Sequence, residues 1–395
     1  MEVTKKRPWS DLPPELLSLI GMRLHTRMDV LRFRSVCSSF RSSVPPLPHD
    51  ALRLPFRLPR LRRSALFLHE STVYAVETPD GSASSRAQWL LKLEESELGH
   101  RRILSLFSQR RILNMPGKFP KVLDSLQVRI VEICREYTFG YGGRSGGLVQ
   151  GIQKVVTHPD CVWSDLNRCW VYFIDEGGQL GYCKYGDEDW SYLDDPHRFD
   201  DIVVYEGKVC VVDQFGSVSQ IDSSFRLRSF SMPIYGDGLR SCSGSRKDLV
   251  VSSDGLYVVD RDIRQCGRPE SDPLCNENMW TSDFRVYRLD RQCGRWEEVR
   301  SLGNSAFFLC KLCSFAVSAR ELGGCDGNCI YYAEDAYSYC SPEKVRVYSL
   351  ADRSIKWLDF SDFVLGMTTA SNPSKLKPTL PTTTTPCGPE MCTRK

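Results

Sequence analysis

The sequence lacks long hydrophobic runs and is poor in histidine. No segment reaches the roughly 18 uncharged apolar residues of a membrane-spanning helix, and no apolar core follows the basic N-terminus as in a secretory signal. The six histidines show no metal-ligand spacing and no accompanying Gly-x-Ser-x-Gly motif. The sequence therefore predicts no membrane span and no cofactor, and it gives no support to an enzymatic role.

Positive charge is confined to the beginning of the chain. The net charge is +3, but residues 1–63 hold 13 Lys or Arg against 5 Asp or Glu, and the rest holds 39 against 44. This mildly acidic body argues against nucleic acid as the main partner. The 17 cysteines are odd in number and scattered, which is typical of a reduced compartment. We therefore expect the nucleus or the cytoplasm.

Residues 9–45 predict three short amphipathic helices. The first has apolar residues at every fourth position and begins at a Pro-Pro pair that suits a first helical turn. Thr26 and Asp29 have the spacing of a capping box that opens a second helix. Three such helices cannot bury all their apolar side chains against one another. Part of this surface is expected to contact a partner protein or the following domain.

This segment also resembles an F-box. The resemblance lies in Leu12-Pro13-x-Glu15-Leu16 and in the run from Phe33 to Arg41, in which Phe40 stands where many F-boxes have Trp. An F-box implies docking to the Skp-type adaptor of SCF ubiquitin ligases and, through it, to cullin and RING subunits. Carried onto this sequence, the expected adaptor contacts are Leu12, Pro13, Leu16, Ile20, Val30, Leu31 and Val36.

Composition divides the rest of the chain. Residues 46–63 are rich in Pro and Arg and predict a semi-rigid linker. Residues 64–365 contain short runs of Val, Ile, Tyr, Phe and Trp between turns, which is typical of antiparallel strands. Residues 366–395 are of low complexity and predict a disordered tail, and residues 1–8 predict a flexible beginning.

Two kinds of hairpin alternate within the predicted strands. Asp201–Asp213 and Asp248–Asp260 each have two apolar runs joined by a turn that contains Gly. A second kind has a Tyr followed by a Trp nine residues later, and occurs twice at an offset of 61 residues, with a looser copy one residue shorter. We expect these aromatic residues to be structural, with the repeated tryptophans filling the wedge between neighbouring blades: Tyr287 and Trp296, Tyr348 and Trp357, and the looser pair Tyr182 and Trp190.

Alternation of the two hairpins is the strand order of a four-stranded propeller blade, and some three hundred residues would make five or six blades. A β-sandwich is the structural alternative, but it does not predict the repeated Tyr…Trp hairpin. The region also resembles the KIB-type β-propeller of plant F-box proteins. This resemblance is carried by Gly181–Trp190, Asp201–Asp213, Asp248–Asp260 and Gly327–Tyr332. The expected fold is mainly β, with a small N-terminal helical F-box followed by a β-propeller.

Four cysteines have a spacing that is compatible with a metal site. Cys310-x-x-Cys313 and Cys325-x-x-x-Cys329 resemble four zinc thiolates. The alternative is that Cys310 and Cys313 lie in one strand, Phe307–Val317, whose alternation would point them to opposite faces. Because cysteine is abundant throughout this chain, we expect no metal here.

The resemblances together predict a non-catalytic substrate-recognition subunit of a cullin–RING ubiquitin ligase. The helices would dock the adaptor, and the propeller would bind a target protein whose identity the sequence does not give. Two alternatives stay open: a propeller that acts as a scaffold or binding protein outside a ligase, and a propeller enzyme whose catalytic groups come from separated loops.

Overall fold

The computed structural model describes three helices and the strands that follow them, in residues 9–24, 26–46, 56–61, 64–79, 86–95, 101–112, 128–141, 148–160, 168–235, 245–265, 279–322, 325–334 and 345–358. The predictions of a flexible beginning over 1–8 and a disordered tail over 366–395 lie outside these ranges. Among the described residues, no helix is long and apolar enough to cross a membrane.

The N-terminal segment forms the three expected helices. A 3₁₀ turn (Trp9–Asp11) precedes α1 (Pro14–Gly21), α2 (Arg27–Ser35) and α3 (Ser38–Ser43). The predicted cap of α2 is present, because the Thr26 side chain accepts a hydrogen bond from the Asp29 N–H at 3.1 Å. Val30 and Val44 are completely or almost completely buried between the helices, so the unit has a small core of its own.

The rest of the described chain is almost entirely β. The strands are β1 (Phe56–Leu61), β2 (Ser64–Pro79), β3 (Arg86–Glu95), β4 (Arg101–Leu104), β5 (Arg129–Tyr141), β6 (Ile152–His158), β7 (Trp170–Asp175), β8 (Leu180–Lys184), β9 (Ser191–Tyr192), β10 (Phe199–Tyr205), β11 (Lys208–Asp213), β12 (Val218–Ile221), β13 (Leu227–Ser229), β14 (Ser245–Ser252), β15 (Gly255–Gln265), β16 (Met279–Asp290), β17 (Arg295–Val299), β18 (Ser305–Leu309), β19 (Ser314–Ser318), β20 (Cys329–Ala333), β21 (Val345–Ser349) and β22 (Ile355–Leu358).

Three consecutive groups of four strands are antiparallel meanders, namely β6–β9, β10–β13 and β14–β17. Strands β1–β5 form a fourth group around β2, and β18–β22 form a fifth in which β18 pairs in parallel with β20. The four-stranded meander is the unit of a propeller blade. The expected number of blades, five or six, stays a prediction.

The predicted hairpin over Asp201–Asp213 shows why the sequence turns where it does. Tyr205 pairs with Lys208, so the loop contains only Glu206 and Gly207. Both have positive φ, 50° and 70°. A two-residue hairpin loop favours this conformation because its twist matches that of the strands, and a glycine adopts it without strain.

The first and last groups of strands pack against each other. Phe107 and Phe308 stack with their ring centroids 6.3 Å apart, and the Lys311 N–H donates to the Phe107 carbonyl at 3.3 Å. Val73 of β2 and Phe315 of β19 are buried in one apolar cluster. The two ends of the β region therefore meet, as a closed ring of blades requires.

Part of the predicted linker is a strand. The prediction of a spacer over 46–63 is wrong for β1, which pairs with β2 and buries Leu58 to 4% exposure. Its proline, Pro59, is compatible with a strand because β2 is the one strand among those described that pairs with β1, so β1 lies at an edge.

Candidate functional site

The helical unit presents apolar side chains to solvent. Leu16 is 46% exposed, Leu31 44% and Val36 62%, although all three are large and apolar. Ile20 and Pro13 are also exposed, and Leu12 is half-buried. Six of the seven predicted adaptor contacts are therefore accessible to a partner at least in part. An apolar surface on so small a unit is typical of a protein-interaction site.

Val30 differs from the other predicted contacts. Its side chain is completely buried and packs with Val44, Leu24 and Phe33. In this structure it stabilises the helical unit and does not reach the surface. Its neighbour Leu31 points outward, because successive helix positions face different directions.

The predicted adaptor contacts left out three further exposed apolar residues of the helical unit: Trp9, Leu19 and Met22. Leu19 lies three residues after Leu16, so helical spacing already placed it on the predicted apolar face. The buried face of α1 instead carries Leu17 and Gly21. Periodicity detected an apolar face but did not show that this face is turned outward.

A pocket of about 410 Å³ lies between the first and last groups of strands. Val131 and Ile133 of β5 form one wall, and Ser305 and Ala316 of β18 and β19 form the opposite wall. Glu321 adds a carboxylate. Half of the lining residues are polar or charged, and such a mixed lining is suited to binding a side chain or a short peptide segment.

The helical unit contacts the strand that lines this pocket. The Arg32 guanidinium of α2 donates to the backbone carbonyl of Ile130 in β5. Ile130 directly precedes Val131, one of the lining residues. The apolar surface of the helices and the pocket are therefore connected through a single strand.

The four cysteines considered for zinc do not form a metal site in the described residues. No group of three or more His, Cys, Asp or Glu side chains there could hold a metal ion. The expectation that Cys310 and Cys313 lie in one strand is wrong as well, because they close the tight turn between β18 and β19. The Cys310 N–H donates to the Cys313 carbonyl at 2.9 Å. Burial raises the pKa of the Cys325 thiol to about 12 and that of Cys329 to about 11.

The looser aromatic pair packs at the borders of sheets. Tyr182 of β8 stacks on Phe225 of the next meander with ring centroids 4.3 Å apart. Trp190 packs edge-on against Phe173 at 4.9 Å and donates its indole N–H to the Pro59 carbonyl of β1 at 3.3 Å. Both contacts are structural, and no sequence pattern indicated Phe225 or Pro59 as the partners.

Tyr287 and Tyr348 of the repeated hairpins are both buried. The Tyr287 hydroxyl is hydrogen-bonded to Tyr235. The Tyr348 hydroxyl donates to Asp283, and its ring lies 5.1 Å from that of Phe284. The hydroxyl groups are satisfied, which the burial of a tyrosine requires.

The two repeated tryptophans differ in their surroundings. Trp296 is half-buried and donates its indole N–H to the Ser231 hydroxyl of the neighbouring meander at 3.1 Å. Trp357 is 57% exposed and lies under the Arg346 guanidinium, 3.9 Å from its ring centroid. The expectation that Trp357 fills a wedge between blades is therefore wrong.

The two hairpins also differ in register. Trp296 directly follows Arg295, the residue that closes the first hairpin loop opposite Asp290. In the second hairpin Ser354 closes the loop opposite Ser349, so Trp357 lies two positions further along its strand. Equal spacing in the sequence did not give equal positions in the two hairpins.

Comparison with known proteins agrees with this architecture. The family model described as the KIB1-4 β-propeller matches residues 61–349. A relative from Arabidopsis thaliana that is named as an F-box protein is 33% identical over 344 residues, which are 82% of this chain and 87% of the relative. F-box protein SKIP23 of the same organism is 29% identical over 367 residues, 84% of this chain and 85% of that protein.

Proposed function

Because this chain belongs to the KIB1-4 β-propeller family and its relatives are F-box proteins, we propose that it is the substrate-recognition subunit of an SCF-type cullin–RING ubiquitin ligase. The helices dock a Skp-type adaptor, and the adaptor connects the chain to the cullin and RING subunits. The propeller binds the target protein. The chain itself performs no chemistry.

The observation that carries this proposal is the outward-facing apolar surface of the helical unit. Leu16, Leu31 and Val36 would be buried by a partner, whereas the unit already holds itself together through Val30 and Val44. Burial of a large aliphatic side chain contributes about 1.5–3 kcal/mol. Several such side chains on one face can provide the centre of a stable interface.

The position of the pocket supports target binding by the propeller. The hydrogen bond from Arg32 to Ile130 brings the adaptor-binding helix into contact with β5, and β5 lines the pocket. A target held there is kept close to the adaptor and thus to the enzyme that carries ubiquitin. Such tethering raises the effective concentration of the target's lysines without new catalytic groups.

The test compares one double variant with a single-substitution control in co-purification and in adaptor-binding measurements. Leu16→Ala with Ile20→Ala shortens two exposed side chains of α1, and we expect adaptor affinity to fall by about tenfold or more, because one central interface side chain commonly contributes over ~1 kcal/mol. Cullin should be lost together with the adaptor.

The matched control is Met232→Ala, which shortens an exposed apolar side chain of the propeller. It should leave adaptor and cullin recovery unchanged. Adaptor binding at wild-type strength in the folded Leu16→Ala, Ile20→Ala variant would contradict the docking assignment. Adaptor recovery without cullin from the wild type would instead favour a scaffold outside a ligase.

A further inference from the structure

Two cysteine thiols from opposite ends of the β region lie side by side in the core. Cys134 belongs to β5 and Cys313 to the turn between β18 and β19, 179 residues later, yet their sulfur atoms are 3.8 Å apart. Both are free thiols in the structure. A disulfide bond has a sulfur–sulfur distance of about 2.05 Å, so the sulfurs need to approach by less than about 2 Å.

Charged groups surround this thiol pair. The Cys313 sulfur lies 3.3 Å from Glu136 Oε2, and Lys92 Nζ lies 2.5 Å from Glu136 Oε1. Lys92 and Glu136 are almost completely buried. A cation beside a buried thiol stabilises the thiolate, which is the form that reacts.

The titration of these groups agrees with a reactive Cys313. Hydrogen bonds with Cys134 and Cys310, together with Lys92, hold the pKa of Cys313 well below its usual value although burial opposes this. The hydrogen bond with Cys313 and burial raise the pKa of Cys134 well above the usual value. Burial raises the pKa of Glu136 to about 8, against the opposing charge of Lys92. The Lys92 ammonium is thus close to two titratable groups, the Cys313 thiol and the Glu136 carboxyl group. Their titrations are coupled, so that one of them carries the negative charge while the other keeps its proton.

The pair lies close in the chain to residues on two sides of the pocket. Ile133, the residue before Cys134, lines one wall, and Ala316, shortly after Cys313, lines the other. The apolar cluster around both sulfurs contains residues of the first and last strand groups. A bond between the two sulfurs would connect these groups where the ring closes.

We propose that Cys134 and Cys313 are an oxidisable dithiol, a modification site at which a peroxide forms a disulfide that fastens the first strand group of the propeller to the last. This inference does not depend on the ligase function. Hydrogen peroxide, an oxidant little larger than water, would reach the pair from the side of Cys134, which is the less buried of the two residues.

The reaction proceeds in two balanced steps. The Cys313 thiolate attacks one oxygen of hydrogen peroxide, the O–O bond breaks, and the leaving hydroxide becomes water by taking up a proton. The sulfur of Cys134 then attacks the sulfenic acid on Cys313, so that the S–S bond forms and the S–O bond breaks, and the departing hydroxide leaves as water with the Cys134 proton. In total two thiols lose two electrons and two protons, and one peroxide becomes two molecules of water.

The test uses the full-length reduced protein. After treatment with a small excess of hydrogen peroxide, remaining thiols are alkylated and the disulfide-linked peptides are identified by mass spectrometry. We expect peptides that contain Cys134 and Cys313 to be linked. The melting temperature should rise by about 5 °C or more, because a cross-link that closes a long loop restricts the unfolded chain, and a thiol reductant should reverse both changes.

Two variants separate this pair from other thiols. Cys134→Ser should abolish the linked peptide and the rise in melting temperature, whereas Cys329→Ser, which removes another buried thiol of the same apolar cluster, should retain both. Full alkylation of Cys134 and Cys313 in peroxide-treated, folded wild type would overturn the proposal. A link between Cys310 and Cys313 in its place would overturn it too, as would the predicted link without a change in melting temperature.

Discussion

Lys154 Nζ of β6 lies 2.7 Å from Asp201 Oδ1 of β10, and both side chains are almost completely buried. The other carboxylate oxygen of Asp201 accepts the Leu249 N–H of β14 at 2.7 Å. One carboxylate therefore connects three consecutive four-stranded meanders, β6–β9, β10–β13 and β14–β17. A buried ion pair that also satisfies a backbone donor fixes how neighbouring sheets sit against each other.

Removal of this carboxylate should destabilise the propeller strongly. We expect Asp201→Ala to lower the free energy of unfolding by about 3–5 kcal/mol, because the Lys154 ammonium and the Leu249 N–H stay buried without their partner. Chemical denaturation measures the change. Glu297→Ala, which breaks an exposed pair with Arg288, is the control and should cost less than about 1 kcal/mol. Equal, small effects of both substitutions would contradict the role of Asp201.

The two repeated tryptophans should respond differently to substitution. Trp296→Ala removes a half-buried ring and its hydrogen bond to Ser231, and we expect a loss of about 2–3 kcal/mol. Trp357→Ala removes an exposed ring, and we expect a loss of about 1 kcal/mol or less. Thermal melts of the two variants provide the comparison. A larger loss of stability for Trp357→Ala than for Trp296→Ala would contradict this prediction.

Val30 and Leu31, which are adjacent in α2, should affect folding and adaptor docking separately. Val30→Ala should make the helical unit more susceptible to limited proteolysis, since it opens a cavity in a core of few residues. Leu31→Ala should leave proteolysis unchanged and weaken adaptor binding about fivefold or more, because its exposed side chain contributes only to the interface. If Leu31→Ala increased proteolysis and Val30→Ala weakened adaptor binding alone, the assignment of Val30 to folding and Leu31 to docking would be refuted.

Stability should depend on pH through the carboxylates around Arg135. This guanidinium lies 2.9 Å from Glu132 and 2.7 Å from Asp160, and Glu70 shares the same buried surroundings. Burial raises the pKa of Glu70 to about 7. A raised acid pKa means that the folded state binds the proton more tightly, so this contribution to stability is full below the unfolded value near 4.5 and is lost as the pH rises through 7.

We therefore expect Glu70→Gln to gain stability relative to the wild type between pH 5 and pH 8, as judged from melting temperatures across that range. The glutamine imitates the protonated acid and carries no charge that burial would penalise. As a control, Glu188→Gln at an exposed turn position should follow the wild-type profile. If the melting temperatures of Glu70→Gln and the wild type differed by the same amount at every pH, the ionisation of Glu70 would not be the source of the pH dependence.

Local patterns were sufficient for several elements of the fold. The hairpin over Asp201–Asp213 and the cap of α2 by Thr26 appeared where turn and capping residues predicted them. The same patterns failed for β1, because a Pro- and Arg-rich segment resembles a linker until a neighbouring strand such as β2 supplies its pairing partner. They also failed for Trp357, since the loop of its hairpin closes two residues earlier than the repeat suggested.

The sequence by itself determined the three helices, the alternation of hairpins and the mainly β class with an F-box-like beginning, because capping, turn chemistry and periodicity act between residues close in the chain. Only the tertiary structure decided that the Leu16 face of α1 is turned outward and that Val30 is buried, because either orientation satisfies the same helical period. It also decided that Cys134 meets Cys313 across 179 residues. That contact exists because the first and last strand groups bury their apolar side chains against each other, and no spacing within either segment encodes which residues of the other it will touch.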